Sequence, residues 1–69
     1  MVPIEFDKTL LAAKQVLDAR NFVDEQKARI ARLKAAGADT QDAERTLELL
    51  EASLRTFEDE LDRIKSGSV

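Results

Sequence analysis

Two apolar stripes of identical spacing run along this chain. Ala12, Val16, Ala19, Val23, Gln26, Ile30 and Leu33 follow one another at alternating steps of four and three. Ala43, Leu47, Leu50, Leu54, Phe57, Leu61 and Ile64 repeat the spacing. Such steps keep side chains on one face of an α-helix, whereas a half-buried strand would need steps of two. The pattern predicts an all-α chain of two amphipathic helices.

Punctuation residues place the ends. Residues 1–6 read as a lead-in, because Pro3 biases its neighbour away from helix. Asp7 is the expected N-cap, with Phe6 and Leu11 at the two positions of a hydrophobic staple. No Gly or Pro occurs from residue 8 to 36, and Ala, Leu, Lys, Arg and Gln dominate. Gly37 suits the left-handed residue that closes a helix. Asp39 or Thr40 then caps the second helix, and Asp42 and Glu44 favour its dipole. Arg63, Lys65 and Gly67 mark its end. The expected organisation is a hairpin over residues 7–66, with helices at about 8–36 and 41–65, a turn at 37–40 and a frayed tail at 67–69.

So short a connection forces antiparallel neighbours, an αα-hairpin with a coiled-coil-like seam. Facing residues in an antiparallel pair have position numbers with a nearly constant sum. Ile30 with Leu47, Val23 with Leu54 and Val16 with Leu61 sum to 77. Leu33 with Ala43, Gln26 with Leu50, Ala19 with Phe57 and Ala12 with Ile64 sum to 76. Large residues thus fall opposite small ones, as interdigitating helices require. With Val16, Val23, Ile30, Leu47, Leu54 and Leu61 at heptad position a, the e positions pair Lys34 with Glu44, Lys27 with Glu51 and Arg20 with Glu58. All three pairs are opposite in sign, which favours this register more than it adds stability.

The seam leaves large apolar residues over. Leu11, Phe22 and Leu49 flank it on the side of the uncharged Thr46 and Ser53; Phe6, Leu10, Ala13 and Leu17 flank the other side near the start of the first helix. The chain has 69 residues, no Cys and no His, so neither a disulfide nor a thiolate or imidazole metal site staples so small a core. Pairing two hairpins into a four-helix bundle is the remedy left, and a symmetric homodimer is expected. Its expected interface is Leu11, Phe22, Leu49 and Ser53. The strip of Phe6, Leu10, Ala13 and Leu17 is the candidate surface for docking another protein, unless the lead-in or a second chain covers it.

Chemistry adds little to this picture. None of the carboxylates, including Asp18, Asp24 and Glu25, lies on the seam, where burial would shift a pKa toward acid–base work. A di-iron carboxylate bundle needs inward Glu-x-x-His motifs, and no core position carries Glu, Asp or His. No cofactor and no enzymatic activity are expected. Gln26, the one polar residue of the seam, reads as a register-setting group or a bond across the dimer. The net charge of −3 argues against general nucleic-acid binding. A basic stripe of Lys27, Arg29, Arg32 and Lys34 keeps a nucleic-acid-associated regulator as the alternative. No apolar run is long enough to span a bilayer, and residues 1–5 carry no secretory signature. The expected setting is the cytoplasm.

The segment Arg29-Ile30-Ala31-Arg32-Leu33, followed by Gly37, Asp39-Thr40, Ala43-Glu44, Leu47, Leu50-Glu51, Ser53-Leu54 and Phe57, resembles a pattern in small, uncharacterised proteobacterial helical-hairpin proteins without established activity. The resemblance spans roughly residues 27–64, and residues 1–26 match it less clearly. It rests on caps, seam and charge pairs. It implies a hairpin in a bacterial cytoplasm and carries over no functional residue. The leading expectation is a non-enzymatic, homodimeric module for protein–protein interaction.

Overall fold

The computed structural model describes residues 8–67. It contains two helices, α1 (Lys8–Ala35) and α2 (Gln41–Lys65), packed against each other. No strand occurs among the described residues. The helix spans match the sequence pattern to within a residue. The lead-in, the Asp7 cap and the Phe6–Leu11 staple lie outside the described residues, as does Phe6 of the candidate docking strip.

The end of α1 is a complete glycine-terminated cap. Gly37 takes φ 74°, which an L side chain rarely adopts. Its N–H donates to the Lys34 carbonyl at 3.0 Å, and the Ala38 N–H donates to the Leu33 carbonyl at 2.9 Å. This pair of bonds is the Schellman arrangement, and it satisfies carbonyls that the helix end would leave open.

At the start of α2 the two candidate caps divide the work. Thr40 occupies the N-cap position, yet its hydroxyl caps no backbone group. It donates instead to Glu44 Oε2 at 3.0 Å. Asp39 Oδ1 accepts the Gln41 N–H at 3.0 Å, an Asx-type bond made one residue earlier. At the far end, Gly67 has φ 67° and its N–H reaches the Ile64 carbonyl at 3.2 Å. Ser66 donates to the Asp62 carbonyl from its N–H at 2.9 Å and to the Arg63 carbonyl from Oγ at 3.0 Å. Ser66 and Gly67 therefore form a hydrogen-bonded turn at the end of α2. Residues 68–69 lie outside the described residues.

All fourteen seam positions are buried or half-buried. The buried ones are Ala12, Val16, Ala19, Val23 and Ile30, all on α1. No residue of α2 is buried, and no large side chain among the described residues is fully enclosed. The shape explains this shallow core. The molecule is 24 Å by 13 Å across its two shorter dimensions, so the helices form a single layer. Its radius of gyration of 16.6 Å far exceeds the ~11 Å of a compact chain of this length. A domain ordinarily closes its core between two layers; among the described residues nothing forms a second layer over either face.

Candidate interaction faces

The heptad positions divide the layer into two faces. Positions c and g of both helices form one, and positions b and e form the other. On the first face Gln15, Asp18, Phe22 and Glu25 of α1 run beside Leu49, Ser53, Thr56 and Glu60 of α2, with Leu11 lying beyond them toward the end of α2 and Thr46 toward the turn. Three of these eight, Asp18, Glu25 and Glu60, are charged. On the second face Leu17, Arg20, Asp24 and Lys27 run beside Glu51, Arg55, Glu58 and Asp62, with Leu10 and Ala13 beyond them. Seven of those eight are charged.

The large apolar residues that the seam does not use are exposed. Leu10 is 70% exposed, Leu17 59%, Phe22 57%, Leu49 71% and Leu11 38%. Ala13 is half-buried and Ser53 is exposed. Exposed apolar side chains are common singly, and they gain meaning when they cluster on one face.

The first, less charged face carries a groove of about 360 Å³. Gln15, Asp18, Ala19 and Phe22 form one wall, and Leu50, Ser53 and Phe57 form the other. The groove exists because Ala19 leaves a gap in α1 that the half-buried Phe57 and Leu50 do not fill. It brings together Phe22 and Ser53 of the four expected interface residues; Leu11 and Leu49 lie outside its walls. Gln15, Leu50 and Phe57 were not among the expected interface residues. For Phe57 the signal was a large d-position side chain set against the small Ala19 across the seam; Gln15 and Leu50 carried no such signal.

The two threonine hydroxyls of this face are satisfied internally. The Thr46 hydroxyl donates to the Asp42 carbonyl at 3.2 Å, and the Thr56 hydroxyl donates to the Ala52 carbonyl at 3.1 Å. A hydroxyl bonded back to its own helix leaves no donor to be stranded when the face is covered. Asp18 is held by Lys14 Nζ at 3.4 Å, an exposed pair one turn apart.

A second, more polar groove of about 290 Å³ lies nearer the turn, lined by Gln26, Arg29, Leu33, Asp39, Asp42, Ala43 and Thr46. Gln26 Nε2 donates to the Ala43 carbonyl at 2.8 Å. The register arithmetic places Gln26 opposite Leu50, but its amide reaches a backbone group of α2 nearer the connection. The small Ala43 leaves that carbonyl open, and a carbonyl oxygen has a second lone pair for such a bond.

The charge latch is only partly closed. Arg20 Nη2 lies 3.2 Å from Glu58 Oε2. The other two expected pairs, Lys27 with Glu51 and Lys34 with Glu44, do not reach ion-pair distance. Holding two long exposed side chains together costs about as much entropy as the screened attraction returns, and the Glu44 carboxylate accepts the Thr40 hydroxyl instead. The basic stripe of Lys27, Arg29, Arg32 and Lys34 is exposed throughout.

No polar or charged residue among those described is buried, and no three acidic, His or Cys residues among them are placed to hold a metal ion. No helix among the described residues is long and apolar enough to cross a membrane. No protein-family model, curated protein or solved structure matches this chain.

Proposed function

We propose that the chain is a non-enzymatic, homodimeric helical module for protein–protein interaction, working in a bacterial cytoplasm. The observation that carries this reading is the exposure of five large apolar side chains on a layer one helix thick. Exposed apolar area of this kind is stabilised by covering it, and other helices provide matching ridges and grooves. The chain also has no disulfide to compensate for its thin core. One face serves self-association. The strip of Leu10, Ala13 and Leu17 on the other face serves a second protein.

Two measurements test the two halves of the reading. Sedimentation equilibrium at micromolar concentration is expected to give twice the 7.7 kDa chain mass; a single-chain mass would overturn the homodimer. Affinity capture is expected to recover a partner that Leu10→Glu and Leu17→Glu both release. A partner retained by both variants would remove the docking strip from consideration.

The alternative is a nucleic-acid-associated regulator. Its support is that Lys27 and Lys34 are not closed into the expected ion pairs, which leaves the basic stripe exposed. The acidic residues of α2 beside it and the net charge of −3 weigh against it. A mobility shift with duplex DNA or RNA that weakens steeply with salt is the result that would favour it.

A further inference from the structure

The homodimer reading leaves open which face of the layer a second copy covers. We infer that two copies meet through the less charged face, with the groove between Phe22 and Ser53 at the centre of the interface. The charged face with Leu10 and Leu17 is then turned outward on both copies.

Area is the first argument. Over the 25 residues of α2, about 38 Å at 1.5 Å per residue, a layer 24 Å wide presents a face of roughly 900 Å². Each partner in a standard-size stable interface contributes ~800 Å². One whole face is therefore needed, and an isolated strip of two leucines does not suffice.

Charge decides between the two faces. Interface centres are poor in charge, because a buried charge without a partner costs several kcal/mol. The central stretch of one face carries Asp18, already beside Lys14, with Glu25 and Glu60 at its two ends; the same stretch of the other carries seven charges. The threonine hydroxyls on the first face donate within α2, so covering them strands no donor.

Shape identifies the occupant as another copy. The face bears both a protruding apolar side chain, Phe22, and an adjoining apolar groove. A self-complementary patch of this kind is what a two-fold interface requires. The second copy also supplies the missing layer over Leu50 and Phe57, half-buried within each hairpin. Association therefore completes a core rather than joining two finished ones. The outcome is a four-helix bundle with two outward strips of Leu10 and Leu17.

Single-cysteine cross-linking tests the assignment, since the chain has no cysteine of its own. Ser53→Cys and Leu17→Cys are made separately, and each is treated with a bis-maleimide of about 10 Å reach, comparable to the spacing of packed helices. Sedimentation of each variant is read alongside. The expected result is dimeric mass for both variants, efficient covalent dimer from Ser53→Cys and little or none from Leu17→Cys. Phe22→Glu is expected to raise the dimer dissociation constant by about tenfold or more, as loss of a central aromatic anchor does. A dimer that links through Leu17→Cys and not through Ser53→Cys overturns the face while leaving the homodimer intact. A monomeric mass for the native chain overturns both.

Discussion

On α1 the seam residues Ala12, Val16, Ala19, Val23 and Ile30 are buried, whereas Leu47, Leu50, Leu54, Phe57, Leu61 and Ile64 on α2 are only half-buried. The two stripes have the same spacing, so periodicity does not account for the difference. Side-chain size does. Small and β-branched residues on α1 sit low between the larger side chains of α2. Those larger side chains cover α1 but keep their outer flanks in solvent, because no second layer among the described residues lies above them. A side chain's depth here depends on what stands over it as much as on its own hydrophobicity. The uncovered flanks of Leu50 and Phe57 are also the walls of the groove.

Three substitutions and two double-mutant cycles probe this asymmetry, each read by chemical denaturation at fixed chain concentration. Phe57→Ala removes the largest cover from α1. A buried phenylalanine truncation costs about 3–5 kcal/mol, and half-burial reduces the expected loss to about 2–3 kcal/mol. A loss under about 1 kcal/mol would mean that the α2 side chains do not carry the seam. Ala19→Leu attacks the other partner by filling the low position on α1, and overpacking is expected to cost about 1–3 kcal/mol. If the variant is instead more stable, the groove is a packing defect with room to spare.

Gly37→Ala tests whether the turn helps fix the register that sets small against large. A Cβ at Gly37 meets nothing within 4 Å, so only the positive φ resists it. The expected loss is about 1 kcal/mol, and an unchanged midpoint would show that the backbone shifts freely there. The smallest effect belongs to the cross-helix ion pair of Arg20 and Glu58. A double-mutant cycle of Arg20→Ala and Glu58→Ala is expected to give a coupling below about 0.5 kcal/mol that fades in 1 M salt. The same cycle at Lys27 and Glu51 should give none.

The gap between reading and structure is instructive at Gln26. Its place in the stripe follows from spacing, because helical geometry turns sequence interval into angle around the axis. Its partner does not follow, since a long, flexible side chain reaches along the seam to whichever polar group its neighbour leaves open. The Ala43 carbonyl is such a group, and nothing in the order of residues distinguishes it from the carbonyls around it. The e-position pairs behave in the same way. Their opposite signs are legible, yet only Arg20 and Glu58 come together, because exposed pairs are nearly neutral in free energy.

The sequence by itself determined the two helices, their ends and the residues of the seam. Helix periodicity is local and rigid, and a connection of five residues from 36 to 40 leaves the helices no arrangement but side by side. It also singled out Leu10, Leu11, Leu17, Phe22 and Leu49 as surplus to that seam. Only the tertiary structure decided how deep each seam residue lies, which cap residue bonds the backbone, and that a groove opens beside Phe22. Those properties depend on the sizes of side chains brought together from different helices, and on the absence of a covering layer, neither of which is a property of any one segment.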